Sequence, residues 1–129
     1  MGCCKGLPEC QDHIVRMEML KKSNNSIKDN AGTKTLIEHI TRWHHDRNLI
    51  KGSTDKDQFC KLMQEAGELS DNICKGKPIS DDIGDMIVVL INIAERNGLS
   101  IGGCLEKAWH DIKDRKGTMI DGVFVKEGD

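Results

Sequence analysis

The sequence predicts an all-α fold, an antiparallel four-helix bundle followed by a small C-terminal β-hairpin. Three observations carry that expectation. Apolar residues recur at three- and four-residue spacing in four successive segments, each bounded by helix start and stop residues. The connections between those segments are short, which favours antiparallel neighbours. Two Phe, two Trp and no Tyr among 129 residues are too few for a β-sandwich, whose strands lean on aromatic and β-branched side chains. The length suffices for one domain with a core and is too short for two.

Residues 1–30 read as an appendage and linker, and residues 31–129 as the helical domain. Cys3, Cys4, Cys10 and His13 gather in the appendage without the paired C-x-x-C spacing of a zinc knuckle. A short amphipathic helix is expected over His13–Leu20, and the polar stretches Ser23–Ser26 and Asp29–Gly32 read as linker. The first strong helix is expected over Thr35–Asn48, with Leu36, Ile37, Ile40, Trp43 and Arg47 at helical spacing. Thr54 or Asp55 caps a second helix that ends at Lys75-Gly76. Ser80 is the expected N-cap of a third, which runs to Arg96 and closes at Asn97-Gly98. A fourth runs from Ser100 to Lys116-Gly117. Met119–Val125 then reads as a hairpin around the Asp121-Gly122 turn.

Composition excludes several function classes. Formal net charge is -2, so no electrostatic case for nucleic-acid binding exists, and stacking platforms lack aromatics. The longest apolar run, Met86–Ile91, is interrupted by Asn92 and spans no membrane. Met1–Cys10 lacks the apolar centre of a signal peptide, and Gly6 stands where myristoylation needs Ser or Thr. Six Cys without a secretory leader fit a reducing cytoplasm.

The chemistry concentrates on the second and third helices. Phe59, Leu62, Met63, Ala66, Leu69 and Ile73 form the apolar stripe of the second. Beside it Lys61, Glu65, Glu68 and Asn72 line one flank. That flank is either a chelating edge or a solvated acidic face with a Lys61–Glu65 ion pair. The third helix is apolar in nearly every direction, which predicts a buried central helix carrying Asp85 and Asn92. A buried carboxylate needs a metal or an ion-pair partner, so Asp85 takes one or the other. Asn92 bonds either a substrate hydroxyl or base edge, or a neighbouring backbone. Asp82 sits in the first turn, where an acid favours the helix dipole. Antiparallel packing can gather Glu65, Glu68, Asp82 and Asp85, and their hard oxygens suit Mg²⁺ with Mn²⁺ as a substitute.

Glu65-Ala66-Gly67-Glu68, followed by Asp82-Ile83-Gly84-Asp85, resembles the E-x-x-E … E-x-x-D signature of MazG-like nucleoside triphosphate pyrophosphohydrolases, relatives of dimeric dUTPases and dCTP pyrophosphatases. The resemblance covers about residues 34–126 and includes Trp43–Leu49 and Lys113–Gly117. One departure is Asp82, where the family usually has Glu; the missing methylene puts direct metal contact there in question. The resemblance implies an all-α MazG-like domain whose core is completed in a homodimer or homotetramer. It implies Mg²⁺ held by Glu65, Glu68 and Asp85 with Asp82 assisting, and Glu65 or Glu68 acting on a water. It implies release of pyrophosphate from a nucleoside triphosphate, leaving the monophosphate. Lys61, Lys113 and Arg115 are the expected phosphate contacts, although the last two also suit a helix C-terminus. Trp43 stacks on a base or packs in the core, Trp109 is expected in the core or an interface, and His44 and His45 either contact substrate or form a solvated pair, the latter being the expectation. The alternative is a non-catalytic helical dimer that binds a nucleotide or a protein partner.

Overall fold

The computed structural model describes residues 32–128. The expectations for Cys3, Cys4, Cys10, His13 and the His13–Leu20 helix lie outside those residues. The described elements are α1 (Thr33–Asp46), α2 (Asp55–Cys74), α3 (Ser80–Arg96), α4 (Ile101–Ile112), β1 (Gly117–Ile120) and β2 (Val123–Lys126). The protein is therefore all-α with a small terminal hairpin.

Local chemistry sets most boundaries. α1 stops because Asn48 takes a left-handed conformation at φ 58. The Leu49 and Asn48 N–H groups then donate to the His44 and His45 carbonyls, a Schellman closure. Gly76 and Gly98, both at φ 69, close α2 and α3 in the same way. A capping box starts α2: the Thr54 hydroxyl accepts from the Asp57 N–H, and the Asp57 carboxylate accepts from the Thr54 N–H. Ser100 caps α4 by accepting from the Gly103 N–H. Ser80 departs from expectation: it is the first helical residue, and Ile79 precedes it without a side-chain cap. α4 also ends earlier than expected, at Ile112, because the hairpin claims the backbone from Gly117 onward. The Glu127 N–H even extends that ladder to the Lys116 carbonyl, 2.7 Å away. Asp121 and Gly122, at φ 49 and 80, make the tight turn between β1 and β2.

α3 is the hub. α2 runs antiparallel along it, with Asn72 bonded to Asp82 at one end and Asp55 to Arg96 at the other. α1 runs parallel to α3: His44 meets Val88, and beyond its end Leu49 meets Asn92 and Ile50 meets Arg96. α1 parallel to α3 and α2 antiparallel to α3 are the alternating directions that short connections between successive helices require. The main helix contact of α4 is with α3.

The hydrophobic core is small. Val89, Ile91 and Ala94, all on α3, are the buried apolar residues among those described. Within this chain α3 is covered on part of its surface only, and Ile83, Ile87 and Leu90 line an exposed stripe one turn apart. One layer of neighbours covers only part of an apolar cylinder. Leu105, Trp109 and Ile112 on α4 and five apolar hairpin residues are exposed as well, so Trp109 is not in this chain's core. No described helix is long and apolar enough to cross a membrane.

Candidate metal centre

Glu65 and Glu68 lie one turn apart on α2, and Asp85 faces them from the antiparallel α3. Each contributes a carboxylate oxygen to a group lying within 4.8 Å of one another. Glu65 is the buried member, at 6% exposure. Its Oε1 lies 3.0 Å from the Lys61 Nζ, and its Oε2 is buried with no hydrogen-bond partner. Glu68 and Asp85 are exposed, which leaves one side of the group open to water.

Crowded negative charge shifts these groups. The Glu65 charge, with smaller help from loss of water, holds the Glu68 carboxyl above its ordinary value. Partial loss of water at the Asp85 carboxyl, then the charges of Glu65, Asp81 and Asp82, raise that group too. Asp85 as a residue is open to solvent, so its desolvation is local to the wall formed by α2 and α3. Lys61 is raised because its ammonium bonds Glu65. Three carboxylates, one of them buried with an orphaned oxygen and two facing solvent, fit a divalent cation that keeps some of its waters.

Asp82 does not join them, so the expected four-carboxylate cluster is a group of three. The Asp82 side chain is buried, and its Oδ2 accepts a 2.8 Å hydrogen bond from the Asn72 Nδ2 at the end of α2. Being one methylene shorter than Glu, it stops at the Asn72 amide. Burial is also exchanged relative to expectation: Asp82 is inside and Asp85 outside.

The remaining sequence candidates separate. Lys61 is at the centre, in the ion pair with Glu65 that the solvated-face alternative required. Asn92 takes the second of its two expected courses. It is fully buried, and its Nδ2 donates to the Leu49 carbonyl and to the His44 Nδ1, both at 3.1 Å. Its Oδ1 is buried with no hydrogen-bond partner. Asn92 and Asp85 share a face of α3, but the chain after α1 covers only the Asn92 level. Trp43 is neither core nor open platform. The Arg47 guanidinium covers its ring at 4.5 Å, and the His44 ring meets it edge-on. Lys113 caps the end of α4, and Arg115 lines a charged hollow with Asp111, Lys116 and Lys126. Neither forms an ion pair with the acidic group among the described residues.

Two features escaped the sequence reading. His44 is a buried hub, not a solvated residue. Its Nε2 faces the Val88 carbonyl at 2.9 Å and so carries the proton, while Nδ1 accepts from Asn92. His45 alone is exposed, paired with Glu95 at 3.1 Å. The second feature is an apolar groove between α1 and α3, walled by Leu36, Ile40, Ile87 and Ile91, with Gly84 and Asp85 in its lining. Asp85 thus belongs both to the acidic group and to the groove. Gly84 beside it has open space where a Cβ would stand, with no described residue within 4 Å of that position. A glycine next to an acid in a helix is the trace this groove leaves in the sequence.

No family model matches the chain, and no solved structure matches it. Among curated proteins, an uncharacterized 18.2 kDa protein from the rep-hol intergenic region of Haemophilus phage HP1 (strain HP1c1) is 46% identical over 79 residues. The matched part is 60% of this chain and 47% of the phage protein, so the chain spans about half the length of that relative.

Proposed function

We propose that the protein is a Mg²⁺-dependent nucleoside triphosphate pyrophosphohydrolase of the MazG-like type, with Mn²⁺ as a substitute ion. The convergence of Glu65, Glu68 and Asp85, with a buried, unpartnered oxygen on Glu65, carries this reading. Glu65, Glu68 and Asp85 would hold the ion. When bound, it would neutralise phosphate oxygens and acidify a coordinated water. Glu68 is solvent-facing, so it is the group placed to orient that water and accept its proton. Water adds to phosphorus, pyrophosphate leaves, and a nucleoside monophosphate remains. The groove running from Asp85 between α1 and α3 offers an apolar slot beside the acids for a nucleoside. Lys61 supplies positive charge at the same place. Such an enzyme clears or adjusts a nucleotide pool.

The acting unit is a homodimer or homotetramer in this proposal. Exposed Ile83, Ile87 and Leu90 on α3, with Leu105 and Trp109 on α4, need a covering surface, and a second copy supplies one. Asp82 turned toward Asn72 favours the second reading, a non-catalytic nucleotide-binding dimer, because it leaves three acids where four were expected. Pyrophosphate release over a panel of NTPs and dNTPs, with and without Mg²⁺, separates the two. Mg²⁺-dependent release from at least one nucleotide is expected; folded, oligomeric protein that turns over none of them rejects the enzyme.

A further inference from the structure

We propose that Lys61 is a built-in counter-ion of the acidic centre: it occupies one Glu65 oxygen while no divalent cation is bound, and exchanges to a substrate phosphate once one is. This role rests on the reading of Glu65, Glu68 and Asp85 as a metal site. An ordinary surface pair on a helix has two exposed partners. Here the Lys61 side chain is 52% exposed while that of Glu65 is only 8% exposed. The ammonium therefore reaches in from solvent to a carboxylate that is nearly sealed. It satisfies only Oε1, and Oε2 stays empty.

An ammonium and a dication cannot share Glu65 comfortably. Side by side they repel even at the dielectric of water. Lys61 is the partner able to leave, because its flexible stem lies in solvent and no core packing moves with it. Its departure also frees a positive charge next to the place where phosphate oxygens would meet the ion. The same side chain thus screens the acids of the empty protein and then contacts the loaded one.

The test uses Mn²⁺ titrations of the nucleotide-free protein, read by electron paramagnetic resonance, followed by inorganic tripolyphosphate binding to the Mn²⁺-loaded protein. Wild type, Lys61→Met and Lys61→Arg are compared at one ionic strength. Losing a competitor worth up to about 1 kcal/mol, Lys61→Met should bind Mn²⁺ about two- to fivefold more tightly. It should also bind tripolyphosphate about fivefold more weakly, with Lys61→Arg close to wild type in both. Unchanged or weaker Mn²⁺ binding by Lys61→Met overturns the counter-ion role alone, since Lys61 would then only hold Glu65 in place. Wild type that binds no Mn²⁺ overturns the role together with the metal site. Lys61 is exposed, and melting curves of each variant verify that its fold is kept.

Discussion

Replacing Glu65 by Gln removes one charge from the acidic centre and almost no volume, so it separates the electrostatic role of this side chain from its packing. In the metal-free protein the Glu65 charge is repelled by Glu68 and Asp85 and attracted by Lys61. Oxygens at up to 4.8 Å repel by about 0.9 kcal/mol each at the dielectric of water, and the Lys61 contact at 3.0 Å attracts by about 1.4 kcal/mol. The two repulsions slightly exceed the single attraction. The unpartnered Oε2 adds a desolvation cost of about 1 kcal/mol or more, which a neutral amide lowers. Glu65→Gln should therefore melt in EDTA at the wild-type temperature or a few degrees above it. The same variant should lose metal affinity by about a hundredfold or more, because a ligand is worth at least as much as the groups that orient it. Scanning calorimetry in EDTA and a Mn²⁺ titration read the two effects separately. A drop of about 3 kcal/mol in metal-free stability, about ten degrees or more in a domain of this size, would refute the reasoning. It would make Glu65 half of a structural buried ion pair with Lys61.

Three further outcomes follow from the same geometry. Glu68 is raised in the folded state, so between its ordinary and raised values the folded chain binds more protons than the unfolded one. Its contribution to stability is greatest below its ordinary value of 4.5 and declines as pH rises through the raised value. Glu68→Gln should therefore gain metal-free stability over wild type near neutral pH, and melting curves should show that gain fading toward about pH 4; a gain independent of pH would contradict it. Gly84→Ala should raise the melting temperature of the ligand-free protein, since alanine is better in a helix by about 1 kcal/mol and nothing stands within 4 Å of the new methyl group. Nucleotide binding measured by calorimetry should weaken in the same variant, because that methyl enters the groove beside Asp85. Asn72→Ala should cost about 1–3 kcal/mol by leaving the buried Asp82 Oδ2 without its donor, read as a lowered denaturation midpoint.

The parts of the site that were legible in the sequence are those fixed by spacing along a helix. Glu65 and Glu68 had to share an edge of α2, with Lys61 one turn away, whatever the rest of the chain did. The exchange between Asp82 and Asp85 was not legible. Three residues apart, they lie on neighbouring directions around α3, and a modest rotation of that helix decides which one α2 covers. Asn92 was ambiguous for a different reason. Its direction on α3 was clear, but whether water or chain lay there depended on where the residues after α1 return, and those carry no periodic signal. His44 shows the same limit: next to His45 in sequence, it is buried only because α1 turns that side toward Val88.

The sequence by itself determined the helices, their stops at Asn48, Gly76 and Gly98, the capping box at Thr54, the hairpin turn and the acidic edge of α2. All of these depend on interactions within a few residues, which hold in any tertiary setting. Only the tertiary structure decided that three carboxylates converge while Asp82 bonds Asn72, and that a groove opens beside Gly84. Those outcomes depend on the rotation and register of one helix against another. They are set by the summed packing of side chains far apart in the chain, which no local pattern encodes.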